Sequence, residues 1–285
     1  MTANGYLKSI EESIAKIKAI DCDKGWSYEK ILEAIMDIRK LPIILFTYPK
    51  GNLLFRSRIN NGLSFYTSKT EISAPREKFV NNYSRANKPR QTLFYCSEDR
   101  ITSYAELLDH ISEISELGKE IQITIGGWRL LEDVQLVLVF NPLAPRTSRY
   151  YQTHGNAFDS VIENTPQELK KGTIKFFEFI GTEYSKQIPE EATNYLIACA
   201  YSNIVFGHEQ CDGIIYPSVP GRGDGFNIAL KKEIIIKNSV KLEMVRTDKF
   251  ITKIQKNGKY HYVNISSINS SELKYDTIEW DSKWE

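Results

Sequence analysis

Glu106 is the one charged residue in the run Ser-Tyr-Ala-Glu-Leu-Leu at 103–108. A lone carboxylate near a helix start can complement the positive helix end, or it can place negative charge beside a developing cation. Taken alone, the first reading is the plainer one. Tyr95 stands eleven positions earlier in a short strand-forming run. Arg56 and Arg58 are two apart in another such run, so their side chains share a face. Arg85 lies in Ser-Arg-Ala-Asn (84–87), which ends in Asn87. The planar fork of arginine pairs with phosphate oxygens through two charge-assisted hydrogen bonds. These arginines are therefore candidate pyrophosphate clamps, although a solvated strand edge and a surface loop would contain the same residues. A third group is Tyr216-Pro217-Ser218, followed by Gly221, Gly223, Gly225 and Asn227. Glycines let a backbone approach a ligand, and they also make ordinary turns. Neither a P-loop nor a dinucleotide fingerprint is present.

The elements that must position these residues follow from hydrophobic period. Tyr6, Ile10, Ile14, Ile17 and Ile20 recur at helical spacing, as do Ile31, Ile35 and Ile38, with Leu32 and Met36 widening the second stripe. Two buried N-terminal helices are expected. Short strands are expected at 43–48, 53–59 and 92–96, with a long irregular segment over 60–91. A helix is expected from about Ser103 to Leu117, its apolar face built from Leu107, Leu108, Ile111 and Ile114. Strands at 121–125 and 134–140 flank Gly126-Gly127. Residues 157–207 read as helical and 211–230 as strand–turn–strand. The runs Glu-Ile-Ile-Ile-Lys (233–237) and Lys-Tyr-His-Tyr-Val-Asn-Ile (259–265) read as β, with Asn257-Gly258 as a hairpin turn. The expected class is α+β, divided as an N-terminal helical extension (1–45) and a catalytic domain with a C-terminal β-rich addition (46–285).

Composition excludes some classes. The chain has 285 residues, 41% hydrophobic and 26% charged, which is far from the regime of disorder. Lysine plus arginine number 37 against 36 acids, without the basic surplus of most nucleic-acid binders, so nucleic acid is not an expected partner. No apolar stretch reaches membrane-spanning length, and the charged N-terminus does not read as a secretory signal. Cys22, Cys96, Cys199 and Cys211 form no Cys-x-x-Cys pair, and His208-x-x-Cys211 has no second pair to complete a zinc site. His110, His154, His208 and His261 are scattered, although His110 lies one helical turn from Glu106. A reduced, cytoplasmic protein without a metal is expected.

The order of the three groups says more than any one of them. Leu-Phe-Arg-Ser-Arg (54–58), Ser-Arg-Ala-Asn-Lys-Pro (84–89), the run 93–110 and Asp-Gly-Ile-Ile-Tyr-Pro-Ser-Val (212–219) with Phe-Asn-Ile-Ala-Leu (226–230) together resemble the RES-domain family. The resemblance covers residues 50–230 and is most specific over 84–106. It implies an ADP-ribosyltransferase-like fold and cleavage of NAD+ as substrate, with no separate cofactor, as in toxins of bacterial toxin–antitoxin pairs. It places Arg56, Tyr95, Glu106 and Ser218 in catalytic roles, and Arg58, Arg85, Asn87, Tyr216 and Asn227 around NAD+. Ser84 stands where the family has glycine. In some members the serine lies at the start of the preceding helix, where this chain reads Thr-Asn-Tyr-Leu-Ile-Ala-Cys-Ala-Tyr-Ser, with Ser202 late in that helix. An antitoxin protein covering the site is the implied partner. Transfer of ADP-ribose to a macromolecule, a non-catalytic NAD+- or partner-binding module, and a homo-oligomer all stay open at this point.

Overall fold

The computed structural model describes residues 2–60, 62, 65–112, 118–187, 195–220, 225–254 and 260–284, with the backbone alone at 109–112, 254 and 260. Two helices lead, α1 (Ala3–Lys18) and α2 (Ser27–Met36). There follow β1 (Leu45–Tyr48), β2 (Leu53–Ile59), one turn of helix α3 (Lys69–Ile72), β3 (Leu93–Ser97), α4 (Arg100–Ser112), β4 (Glu120–Leu130) and β5 (Val134–Leu138). Three helices come next, α5 (Arg149–Asn164), α6 (Gln167–Ser185) and α7 (Leu196–Phe206), then β6 (Gly213–Pro217), β7 (Phe226–Lys231) and the short α8 (Lys232–Ile236). The chain ends in β8 (Val240–Ile254), β9 (Tyr260–Lys274) and β10 (Thr277–Trp280). This is a mixed α+β protein. Its strands form one ten-stranded sheet in the order β1-β5-β6-β7-β3-β2-β4-β8-β9-β10. The β5–β6 pair is parallel and the other pairs are antiparallel.

The N-terminal stripe is buried as its spacing requires: Tyr6, Ile10, Ile14 and Ile17 are at most 7% exposed. α1 packs on α6 and α2 on α7, and their apolar faces join the same core as the sheet. Tyr6 lies against Gly172 of α6, where an added Cβ would come within 2.5 Å of its ring. Ile31, Ile35 and Ile38 are buried too, but Met36 is 66% exposed and does not widen the stripe.

Three other expectations are corrected. Gly126 and Gly127 lie inside the single strand β4 and do not separate two strands. They admit close neighbours, since a Cβ at Gly127 would lie 2.5 Å from Met244 Cγ and one at Gly126 would lie 2.8 Å from Trp128 Nε1. The Ile-rich run after β7 is the helix α8. The β7–β3 ladder ends at Lys231↔Leu93, so the run has no strand to pair with, and only Ile234 of its three isoleucines is buried. The irregular segment over 60–91 also contains α3. Asn257-Gly258 lies outside the described residues. The four cysteines are free thiols, and no helix among the described residues is long and apolar enough to cross a membrane.

The sheet splits beside β3. That strand pairs with β7 over five residues, Leu93–Ser97, but with β2 only at Phe55↔Ser97. Beyond that rung β2 continues along β4 and leaves β3 behind. α4 packs on β2, β3 and β7 around this split. Its Tyr104, Leu107 and Leu108 also cover a second, smaller core of Ile121, Ile123 and Phe250.

Candidate active site

Strand alternation decides which residues face α4. Phe55, Ser97 and Asn227 are successive cross-strand partners, and Asn227 is opposite Tyr216. Side chains two residues apart keep to the same face, which brings Ser57 and Tyr95 onto it. The cavity there, ≈ 260 Å³, is lined by Ser57, Tyr95, Ser97, Tyr216 and Asn227 from the strands and by Ser103, Glu106 and Leu107 from α4. Arg56 belongs to the opposite face, where its guanidinium lies 5.6 Å from the Phe94 ring centroid. It reaches the cavity through the split, with Nη1 donating to Tyr95 O at 2.7 Å and Nε to Ser73 O at 3.1 Å. Arg56 thus satisfies a β3 carbonyl that β2 has abandoned.

Glu106 is in the second turn of α4, not the first. The helix begins at Arg100, earlier than its apolar period indicates, because Asp99 caps it: Thr102 N and Oγ1 donate to the Asp99 carboxylate at 2.9 and 2.5 Å. Glu106 is therefore past the orphan N–H groups that a helix-start acid would complement. Its Oε1 instead accepts from Ser218 Oγ at 2.7 Å and from Asn227 Nδ2 at 2.6 Å. Oε2 has no hydrogen-bond partner among the described residues. Ser218 and Asn227 are 2% and 5% exposed, so both donors sit in a dry wall, where such bonds are stronger than in water. Gly225 allows this docking, since a Cβ there would stand 1.9 Å from Thr102 Oγ1.

The remaining predicted residues divide. Arg85 reaches the cavity wall with its guanidinium anchored at the C-terminal end of α6, Nε to Tyr184 O at 3.1 Å and Nη2 to O of the capping Lys186 at 2.8 Å. It also stacks over Tyr195 at 5.2 Å. The Tyr95 ring lines the cavity while its hydroxyl stitches the 84–87 loop to β3, through Ser84 Oγ (2.7 Å), Asn87 Oδ1 (2.8 Å) and Ala86 N (3.2 Å). Asn87 is 5% exposed and spends its amide on Asn82 O and Lys88 O, so it braces the loop and does not line the cavity. Arg58 shares a face with Arg56 but turns to Glu71 O and the Tyr66 ring, away from the cavity. Ser202 is buried and donates to Arg85 O at 3.1 Å, which is a structural role. Gly221 and Gly223 lie outside the described residues, as does the side chain of His110.

Sequence reasoning passed over Ser57, Ser97, Ser103 and Tyr195. Ser57 and Ser103 share a hydrogen bond of 2.8 Å across the β2–α4 junction. Only the alternation that puts Ser57 and Phe55 on one face pointed to any of them.

The charge pattern is two guanidinium groups around one carboxylate. Burial, and then the charge of Arg58, lower the Arg56 pKa to about 10, so it stays cationic at neutral pH. Burial raises Tyr95 and Tyr216 above the ordinary phenol range, and both are neutral there. A net positive cavity with one half-satisfied carboxylate suits an anionic ligand that becomes cationic at one point. A larger hollow, ≈ 660 Å³, opens at the far end of β3 and β7. Lys88, Arg90, Lys231, Lys232 and Lys237 face Glu77, Glu209, Asp212 and Glu233 there, so it has no single charge with which to select a ligand.

No protein-family model matches the chain, and no curated protein matches it. The reading of this cavity therefore stands on its residues.

Proposed function

We propose that the protein cleaves NAD+ at the bond between nicotinamide and ribose, in the manner of the RES-domain toxins that its motifs resemble, on an ADP-ribosyltransferase-like framework. The observation that carries this reading is Glu106: it lines a cavity with Arg56 and Arg85, and one of its oxygens is held by Ser218 and Asn227 while the other has no hydrogen-bond partner among the described residues. At ≈ 260 Å³ the cavity is below the roughly 300–1,000 Å³ of a site for a drug-sized ligand. It suits the nicotinamide–ribose half, with the pyrophosphate at the arginine rim.

The bond breaks through an oxocarbenium-like transition state. Nicotinamide leaves as a neutral ring from a cationic one, so little acid catalysis is required. What the reaction needs is negative charge beside the ribose and a fixed, bent dinucleotide. Glu106 Oε2 supplies the first and is preorganised for it, because Oε1 is already engaged. Arg56 and Arg85 each use two N–H groups on backbone carbonyls, which fixes the guanidinium planes and leaves the other N–H groups for phosphate oxygens. The Tyr95 and Tyr216 rings provide apolar walls for the departing base.

The test is incubation of the purified chain with NAD+ and separation of products. Wild type is expected to release nicotinamide, and Glu106→Gln to lose activity by about a thousandfold, the scale of removing one electrostatic stabiliser of a transition state. Intact NAD+ with wild type refutes the proposal, and equal turnover by Glu106→Gln refutes the role of the glutamate. The partner product identifies the acceptor: ADP-ribose for water, its 1″-phosphate for phosphate, modified protein for transfer.

A further inference from the structure

We infer that Ser97 is a positioning residue for Glu106, acting through the side-chain amide of Asn227. This rests on the proposed role of Glu106 as the carboxylate that meets the reacting ribose. Ser97 and Asn227 are direct cross-strand partners on β3 and β7, 3% and 5% exposed. Ser97 Oγ donates to Asn227 Oδ1 at 2.8 Å, and Asn227 Nδ2 donates to Glu106 Oε1 at 2.6 Å.

An asparagine amide has two ends of nearly equal shape and opposite hydrogen-bonding character. Only the Nδ2 end can donate to a carboxylate. The reversed amide sets two acceptors against each other at the same separation. Glu106, an acceptor only, makes the choice by taking Nδ2, and the Ser97 hydroxyl donates to the Oδ1 that is left, which pins the amide plane from its other end. This is the one side-chain hydrogen bond of Ser97 among the described residues. Its backbone is also tied on both sides, since Ser97 is the single rung that joins β3 to β2 as well as to β7. The apex of the split is thereby tied to the orientation of the carboxylate inside it.

Ser97→Ala is expected to lower kcat on NAD+ about tenfold, the equivalent of one buried hydrogen bond, with KM changed less than about twofold. Ser97→Thr, which keeps the hydroxyl, recovers kcat to within about threefold of wild type. In an Asn227→Ala background, Ser97→Ala costs nothing more, as required of a residue that acts through Asn227. Multiplying losses in the double variant overturn the inference.

The Asn227 side-chain NH₂ signals in ¹⁵N spectra give a readout that needs no turnover. Both Ser97→Ala and Glu106→Gln are expected to shift them and to speed their hydrogen exchange, while Ser97→Thr leaves them near their wild-type positions. If wild type spares NAD+ yet the amide responds in this way, the relay stands and the substrate assignment falls. If the amide is unmoved by Ser97→Ala, the relay is refuted whatever the substrate.

Discussion

Glu106, on α4, and Asp248, bonded to that helix through Tyr104, are two carboxylates that differ in how their oxygens are used. Asp248, on β8, has both oxygens occupied. Oδ1 accepts from Arg246 Nε at 2.7 Å and from Ser267 Oγ at 2.5 Å, and Oδ2 accepts from the Tyr104 hydroxyl of α4. Its side chain is 3% exposed. Glu106, two residues after Tyr104, lines a cavity and has two hydrogen bonds on one oxygen and none from described residues on the other. A carboxylate with both oxygens bonded by the protein contributes to the fold, and its neighbours are shaped to keep it. One that is half matched is held in place for something else. α4 is thus gripped through Asp248 on the β8 side and presents Glu106 on the β3–β7 side.

Replacing each carboxylate by its amide should separate the two. Glu106→Gln, with the largest expected effect on activity, should leave stability nearly unchanged. Gly225→Ala is expected next in the loss of activity. Its new Cβ would lie 1.9 Å from Thr102 Oγ1, so α4 has to move off the β6–β7 turn and carry Glu106 away from Ser218 and Asn227. A displacement near 1 Å costs about a hundredfold in rate. Adding Thr102→Gly removes the colliding Oγ1 together with Cβ and Cγ2, both at 2.9 Å, and should recover most of that loss. Failure of the pair to recover would mean that Gly225 matters for another reason.

Asp248→Asn is the counterpart to Glu106→Gln, and its expected effect is on folding. It leaves the Arg246 guanidinium without its charge partner and puts an NH₂ where a carboxylate oxygen accepted, at a cost of roughly 3 kcal/mol. Urea unfolding of the whole chain measures this, and a loss equal to that of Glu106→Gln would erase the distinction between the two carboxylates. The acid limb of stability adds a sign. Burial alone would raise the Asp248 carboxyl, but hydrogen bonds from Ser267, Tyr104 and Arg246, with the Arg246 charge, hold it below the ordinary value of 3.8. A depressed carboxyl contributes stability that is complete above the unfolded pKa and is lost as pH falls through the folded one. Wild type should therefore lose stability below about pH 4 more steeply than Asp248→Asn.

The same contrast bears on what could be read from residues alone. Glu106, Tyr95 and Arg56 were legible because arginine, tyrosine and glutamate are distinctive and occur in a recognisable order along the chain. The short strands were legible from alternation, and the N-terminal helices from the spacing of their isoleucines. Ser97 was not, because a serine in Leu-Phe-Tyr-Cys-Ser looks like the end of a strand until β7 is placed beside it. Asp248 was hidden in the same way: its partners Tyr104 and Ser267 lie 144 and 19 residues away. The strand order, with β4 and β2 between β8 and β3, is a long-range fact that no local period encodes. The Ile-rich α8 was misread because β propensity depends on having a neighbouring strand, and the ladder had ended.

Tyr104→Phe has the smallest expected effect and probes the link between the two carboxylates. The ring would keep its edge contact with Phe250, at 5.4 Å between centroids, and its place over Ile121 and Ile123. Only the hydroxyl bond to Asp248 Oδ2 is lost, so the cost in stability is about 1 kcal/mol, a fall in Tm of roughly 2 °C for a chain of this size. If the grip on Asp248 also sets the height of α4 above the sheet, kcat should fall a few-fold alongside, with KM unchanged. If activity is untouched while Tm falls, Asp248 stabilises α4 without aiming Glu106, and the aim comes from the Ser97–Asn227 side and the Gly225 contact alone.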